Sequence, residues 1–201
     1  LLAAISESSP GHSIGSVFPH LAASFHDCKF RAPDDLSTIV KTAEQPLVAF
    51  SAANHGHSAA LIAHLLEASE QAGSKVNVVD LSADFRYSAA SSYETVYASK
   101  HGAPDLLRKF HSGLPEHSNV NPHHVGHPGC FTTATLLAIV PLLKLGLVET
   151  DLYITGITGS TGAGRTPQST THHPLRHSNL FAYKPLDHRH VPEMVALAEA
   201  A

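Results

Sequence analysis

Residues 46–81 carry the pattern that most restricts the fold of this 201-residue chain. The apolar run 46–51 (PLVAFS) predicts a buried strand, and residues 58–72 follow with apolar side chains at helical spacing, up to Gly73. A second apolar run, 75–81 (KVNVVDL), predicts another strand. Two strands joined by one helix form a βαβ unit, and such a unit requires a parallel sheet. We therefore expect this part of the chain to be α/β.

The second part of the chain shows a different order of elements. A helix is predicted from 131 to about 143, and the β-branched run 152–158 predicts a strand of a separate, antiparallel sheet. A glycine-rich loop, 159–165, comes next, and a last helix starts at Val191 with a proline in its first turn. This order predicts an α+β segment.

The first eleven residues do not resemble the start of a domain. Residues 1–5 resemble the end of a helix, and the serines, proline and glycine of 8–11 resemble its stop. No strand or glycine-rich turn precedes them. We therefore expect the chain to begin inside a domain.

Composition excludes some classes of partner and site. The net charge of −4 argues against a nucleic-acid backbone, which requires a basic face. The longest apolar run, 135–148, is broken by Pro141 and Lys144 and is shorter than the roughly 20 residues that a membrane span requires, so no membrane is expected. Cys28 and Cys130 have no disulfide or metal spacing, which favours reduced thiols in the cytoplasm.

Cys130 is the strongest chemical signal in the sequence. It follows Pro128 and Gly129 and stands directly before a predicted helix. A helix start offers unpaired N–H groups and a partial positive charge, which stabilise a thiolate and could hold the oxygen of a tetrahedral intermediate. The alternative is an inert structural cysteine at a helix start.

A thiol nucleophile requires a proton carrier. His188 and His190 flank Arg189, so in an extended segment both imidazoles point the same way, and Glu193 could orient one of them. The alternative is a solvated polar loop before a helix.

Two further segments could bind anions. Arg86 ends the segment 80–86, which follows a predicted parallel strand, and its guanidinium suits a phosphate. The alternative is a surface ion pair of Arg86 with Asp84 or another nearby carboxylate. The loop 159–165 can wrap N–H groups around an anion or approach a flat ring, but it lacks the lysine of a nucleotide-phosphate loop, and a flexible turn is the alternative.

The 17 histidines raise the question of a metal site. His123, His124 and His127 lie close in sequence, but no carboxylate falls at zinc-ligand spacing and the group adjoins Pro128. We expect no metal.

Five motifs, in order along the chain, carry a resemblance to a known family. They are 79–86 (VDLSADFR), 113–116 (GLPE), 127–134 (HPGCFTTA), 159–165 (GSTGAGR) and 188–193 (HRHVPE). Together they resemble the N-acetyl-gamma-glutamyl-phosphate reductases, relatives of the aspartate-semialdehyde dehydrogenases. Thr132 stands where that family usually has proline or a small apolar residue, and Asn54 replaces its usual proline.

The resemblance implies a fold and an oligomer. It implies a Rossmann-like NADP-binding domain with a parallel sheet, placed here at 1–129, without its first strand and amino-terminal glycine-rich loop. It implies a second α+β domain, placed at 130–201, with a mainly antiparallel sheet and much of the subunit interface. A homo-oligomer, a dimer or tetramer, is therefore expected.

The resemblance also implies the chemistry. Cys130 would attack an acyl phosphate, NADPH would reduce the thioester, and the semialdehyde of arginine biosynthesis would leave. Of the two imidazoles, we favour His190 as proton carrier because Glu193 lies one helical turn away. Arg86 would hold the phosphate. The expected cofactor contacts are Ser160, Gly162 and Gly164 in the glycine loop, His55 and Gly56 in a turn, and Ser82.

Three alternatives remain from the sequence. The substrate could be another acyl phosphate, aminoadipyl or aspartyl. The chain could be a cysteine hydrolase that uses Cys130 and His190 with water and no nicotinamide, although the glycine loop and the parallel strands argue against it. It could also be an inactive, histidine-rich metal-binding relative.

Overall fold

The computed structural model describes residues 1–44, 46–164 and 166–201. The chain divides into two compact units, Leu1–Pro128 and Gly129–Ala201. The last residue of the predicted glycine-rich loop, Arg165, lies outside the described residues.

The first unit holds the strands and four helices. Its strands are β1 (Ala4–Ile5), β2 (Phe30–Arg31), β3 (Leu47–Ser51), β4 (Val76–Asp80), β5 (Phe110–Ser112) and β6 (His124–Gly126). Its helices are α1 (Ile14–Val17), α2 (Leu36–Thr42), α3 (Ser58–Ala72) and α4 (Ala90–Tyr97). The second unit holds the helices α5 (Cys130–Lys144), α6 (His173–Arg176) and α7 (Val191–Ala200). Short 3₁₀ turns connect several of these elements.

Both sheets are parallel, as expected for an α/β chain. Strands β1 and β2 form a two-stranded sheet, and the other four form a sheet in the order β3-β4-β6-β5. Strand β3 pairs with β4 from Leu47–Val76 to Ser51–Asp80. The βαβ unit predicted from the sequence is therefore confirmed, including both ends of α3, where Gly73 takes the left-handed conformation at φ 64°.

The core of the first unit lies between α3, α2 and one face of the larger sheet. Ile62 and Leu65 of α3 pack in one cluster with Val76 and Val78 of β4. Burying such a side chain contributes about 1.5–3 kcal/mol. The run 46–51 was predicted to form a buried strand. The strand forms as β3, but its alternate side chains point away from this core, and Phe50 is 71% exposed.

Three sequence predictions fail at places where tertiary pairing decides the structure. Residues 1–5 contain strand β1 instead of a helix end, because β2 supplies a parallel partner. The predicted strand 152–158 is not formed, and neither is the antiparallel sheet it was to join. A strand requires a partner for its N–H and C=O groups, and no other segment in the described part of 129–201 is available as a strand to pair with it. The stretch 87–121, for which no element was predicted above, contains α4 and β5.

Two negative observations concern the described residues. None of the helices there has the length and apolar character needed to cross a membrane. Likewise, no group of three histidine, cysteine or acidic side chains within 1–44, 46–164 and 166–201 is arranged to hold a metal ion.

Candidate active site

The first turn of α5 presents Cys130 to solvent. Gly129 precedes it in an extended conformation, with φ −62° and ψ 159°, and its carbonyl accepts the first helical hydrogen bond from Thr133 N at 2.7 Å. Cys130 is a free thiol, is the first residue of the helix and is exposed. The first N–H groups of any helix have no acceptor within the helix and carry a partial positive charge. A negatively charged sulfur or oxygen at this position is stabilised for that reason.

A buried carboxylate holds the residue before the cysteine. Glu193, in the first turn of α7, is 1% exposed, and its Oε1 accepts a hydrogen bond from Gly129 N at 2.7 Å. A charge-assisted bond of this length is among the stronger hydrogen bonds in proteins and offsets part of the cost of burying a carboxylate. The start of α5 is therefore fastened to α7. That Glu193 also orients an imidazole stays a prediction.

The two predicted proton carriers lie together beside Phe131, the residue after Cys130. The ring centres of His188 and His190 are 4.7 Å apart, and the Phe131 ring lies 5.3 Å from His188 and 6.3 Å from His190. His190 is buried at 6% exposure. The structure thus brings both imidazoles to the first turn of α5. In the sequence, His188 and His190 lie 58 and 60 positions after Cys130 (188 − 130 and 190 − 130).

His188 is engaged through both ring nitrogens. Its Nδ1 accepts from His190 N at 3.2 Å, so the proton of the neutral ring lies on Nε2, which donates to the Tyr183 hydroxyl at 3.3 Å. Burial, and then the positive charges of Arg189 and Lys184, lower the pKa of His188 below the ordinary imidazole value. This imidazole therefore stays neutral at neutral pH.

The glycine-rich loop exposes its backbone. Ser160–Ala163 form one 3₁₀ turn, and Gly164 follows with φ 93°, a conformation that favours glycine. The three predicted contacts, Ser160, Gly162 and Gly164, are all exposed. The N–H groups of Gly162 and Gly164 donate to Gly159 O and Thr161 O within the turn, so what the loop offers is an exposed glycine surface suited to a flat ring.

The turn after β3 lies at the carboxyl end of the parallel strands of the first unit, where ligands bind in open α/β sheets. His55 and Gly56 are exposed, and Gly56 has φ 82°. His55 Nδ1 accepts a hydrogen bond from Ala83 N at 3.0 Å. This exposed turn therefore lies where a ligand can approach the sheet of the first unit.

Ser82, predicted to contact the cofactor, is a buried residue whose hydroxyl is hydrogen-bonded within its own loop. It is 2% exposed, and its hydroxyl donates to Asp80 Oδ2 at 2.7 Å and accepts from Asp84 N at 3.0 Å. Burial raises the pKa of Asp80, partly opposed by the hydrogen bonds from Ser58 and Ser82. Because its hydroxyl is used inside the loop, we leave Ser82 out of the cofactor contacts proposed below.

Arg86 is held by backbone carbonyls. Its Nε donates to His127 O and its Nη2 to Leu81 O, both at 3.0 Å, and the side chain is 8% exposed. The Asp84 carboxylate instead accepts from backbone and tyrosine donors, and no ion pair joins it to Arg86 among the described residues. The ion pair of Arg86 with Asp84 is therefore not formed, and the two bonds to carbonyls orient the guanidinium.

Two residues outside the predicted site have central positions in the structure, and the sequence suggested only an ion pair with Arg86 for one of them, Asp84. Asp84 is completely buried and tied to the start of α3, and Gly126 lies against the Phe85 backbone. A glycine inside a predicted strand is a signal of close backbone approach, and it could have identified Gly126. No local pattern predicts the partners of Asp84.

One cleft lies elsewhere in the first unit. It has a volume of about 420 Å³, and its lining residues are Arg108, Lys109, Phe110, His111, Pro122, His123 and His124. Burial, followed by the charges of His123 and Lys109, lowers the pKa of His124. The cleft contains none of the predicted site residues.

Comparison with known proteins adds independent findings. Residues 130–201 match the family model described as semialdehyde dehydrogenase, dimerisation domain. The chain is 39% identical over 189 residues to a Bacillus cereus protein named N-acetyl-gamma-glutamyl-phosphate reductase, and the match covers 92% of this chain and 51% of that protein. The chain is homologous to the N-acetyl-gamma-glutamyl-phosphate reductases. The resemblance inferred from the five motifs is confirmed.

Two proteins with the same name from other organisms are also similar to this chain. A Methanopyrus kandleri protein is 36% identical over 187 residues, covering 92% of this chain and 51% of that protein. A Rhodopirellula baltica protein is 33% identical over 203 residues, covering 99% of this chain and 56% of that protein. The chain thus spans about half the length of the curated reductases it matches.

Proposed function

We propose that this protein reduces N-acetyl-gamma-glutamyl phosphate with NADPH to N-acetylglutamate semialdehyde and phosphate, as a cytoplasmic step of arginine biosynthesis. The observation that carries the proposal is the start of α5. There an exposed Cys130 follows a glycine whose N–H is held by the buried carboxylate of Glu193, with two imidazoles beside the next residue.

The proposed covalent step uses groups of the second unit. The Cys130 thiol transfers its proton to an imidazole, and the thiolate forms a C–S bond to the acyl carbon while the C–O bond to phosphate breaks. The free N–H groups at the start of α5 stabilise the oxygen of the tetrahedral intermediate. NADPH, when bound, supplies the hydride that reduces the thioester. The C–S bond then breaks, which releases the aldehyde and returns the thiolate.

The binding roles are assigned to both units. We assign the acyl phosphate to Arg86, whose guanidinium is held in orientation by two carbonyls, because a fixed fork matches phosphate oxygens. We assign NADP(H) to His55 and Gly56 in a Rossmann-like first unit, and to Ser160, Gly162 and Gly164 in the second. A homo-oligomer built through residues 130–201 completes the proposal, and the dimerisation-domain match supports it.

The reverse reaction tests the function. N-acetylglutamate semialdehyde, NADP⁺ and phosphate are incubated with the protein, and NADPH is followed by its absorbance; we expect phosphate-dependent NADPH formation. Aspartate semialdehyde and aminoadipate semialdehyde, run in parallel, identify a reductase of a different acyl phosphate if either is the better substrate. Acyl phosphate or thioester hydrolysis that proceeds equally without nicotinamide would contradict the proposal and favour the cysteine hydrolase.

The two imidazoles are expected to contribute unequally. Because both ring nitrogens of His188 are engaged, His190→Asn should lower kcat about 100-fold or more, and His188→Asn by about 10-fold or less. A base must be deprotonated to act, so kcat/KM of the wild type falls as the pH falls. We expect this acidic limb of the pH–rate profile to keep its position in His188→Asn and to move to higher pH in His190→Asn, because the thiol must then lose its proton without help from the imidazole. The opposite pattern would move the proton-carrier role to His188.

A further inference from the structure

Asp84 is a buried carboxylate that caps a helix from a distant part of the sequence. It is 0% exposed, its Oδ1 accepts from Gly56 N at 2.8 Å, and its Oδ2 accepts from Ala59 N at 2.9 Å. The residue at the N-cap of α3, His57, makes no side-chain hydrogen bond to the helix. Asp84 therefore supplies the cap that α3 lacks, and its negative charge meets the positive end of a 15-residue helix.

The segment that carries Asp84 makes a third hydrogen bond in this region, in addition to those with Gly56 and Ala59. Ala83 N donates to His55 Nδ1 at 3.0 Å, so the residues on both sides of this bond are fixed together. Tyr93 adds a donor to Asp84 Oδ1 at 3.1 Å, and His101 Nε2 lies 2.6 Å from the Asp84 carbonyl oxygen. The Asp84 carboxylate thus accepts three hydrogen bonds, and the backbone of Ala83 and Asp84 makes two further contacts with histidine rings.

Arg86 lies two residues further along this loop. Arg86 N donates to Ala83 O at 3.3 Å and its guanidinium donates to Leu81 O, which closes residues 81–86 into one compact loop. Any movement of Asp84 therefore moves both the His55–Gly56 turn and Arg86. In the proposed function, the first of these binds NADP(H) and the second binds the phosphate of the substrate.

We infer that Asp84 is a positioning residue that couples the cofactor turn to the phosphate-binding arginine, so that one buried side chain sets the geometry of both sites. It touches neither ligand, because it is completely buried, and it acts through Gly56, Ala59 and the loop that carries Arg86. This inference rests on the proposed function for the identity of the two ligands. The coupling itself rests only on the hydrogen bonds.

Asp84→Asn tests the inference because it keeps the size of the side chain and removes one acceptor. The amide NH₂ would face the Ala59 or Gly56 N–H, two donors that cannot bond to each other. We expect KM for NADPH and KM for the acyl phosphate to rise together by about 10-fold, with kcat per active enzyme within about 3-fold. Active enzyme is counted from the acyl group that Cys130 takes up from saturating acyl phosphate in the absence of NADPH.

The matched variants separate coupling from simple destabilisation. Tyr93→Phe removes one donor to the same carboxylate but leaves both backbone bonds, so both KM values should stay within about 2-fold of wild type. Arg86→Lys should raise KM for the acyl phosphate alone. A merely structural Asp84 would lower the fraction of active enzyme and leave both KM values unchanged, and this result, or a rise in only one KM, would overturn the inference.

Amide hydrogen exchange supplies a readout that does not require turnover. In Asp84→Asn, exchange at Gly56, Ala59 and Ala83 should accelerate together, whereas in Tyr93→Phe it should remain slow. If the wild type showed no reductase activity while these amides responded together, the proposed function would fail and the coupling would stand. Unchanged exchange at Ala83, with faster exchange at Gly56 and Ala59, would show that Asp84 caps the helix without linking the two segments.

Discussion

Replacing Cys130 with serine is expected to lower turnover by about four orders of magnitude or more, in both directions of the reaction. The serine hydroxyl is nearly isosteric, so the start of α5 and the Glu193–Gly129 bond should persist. What is lost is the nucleophile, because a serine hydroxyl is a much weaker nucleophile than a cysteine sulfur. Initial rates of NADPH oxidation and formation measure the effect.

The chain provides its own control for this substitution. Cys28 is the other free thiol, is partly buried and belongs to the first unit. Cys28→Ser should keep the rate within about 2-fold of wild type, since surface and half-buried substitutions away from a site have small effects. Mass spectrometry of the wild type with acyl phosphate, in the absence of NADPH, should show the acyl group on the peptide that contains Cys130. A Cys130→Ser protein that keeps a tenth of the wild-type rate would rule out the thioester.

Gly126→Ala should be the most damaging single methyl addition in the first unit, destabilising it by about 3 kcal/mol or more. A Cβ at this position would overlap the carbonyl oxygen of Phe85 and lie 2.5 Å from its carbonyl carbon. Those atoms are backbone and cannot rotate away. Relief would require β6 to separate from the segment that carries Asp84 and Arg86. Urea unfolding followed by far-UV circular dichroism measures the loss.

Gly113→Ala is the matched control for this effect. The added Cβ would lie 3.0 Å from Nε2 of His111, the end of a side chain that can turn aside. We expect a destabilisation of about 1 kcal/mol or less, because no backbone has to move. Equal losses in the two variants would mean that the close approach of Gly126 to Phe85 is not needed for stability. Because the clash also displaces Arg86, Gly126→Ala should reduce activity more than its stability alone implies.

The residues of the candidate site were largely identifiable from the sequence, but their contacts were not. Cys130 stands directly before a predicted helix, His188, His190 and Glu193 lie together around the start of another, and the family resemblance gave them roles. That Glu193 bonds to the Gly129 N–H could not be deduced, because the two residues lie 64 positions apart. From the sequence, Asp84 was considered only as an ion-pair partner for Arg86. In the structure, its carboxylate instead accepts a hydrogen bond from Ala59 N at the start of α3.

The sequence by itself determined the elements whose stability is local. The spacing of apolar residues and the closing glycine define both ends of α3, the proline–glycine pair places the start of α5, and a first-turn proline marks α7. Only the tertiary structure decided whether a short extended segment became a strand. The segment 4–5 pairs with 30–31, whereas 152–158 remains unpaired among the described residues, although its composition is the more typical of a strand. The physical reason is that a helix satisfies its own backbone groups, while a strand must satisfy them with residues distant in the sequence.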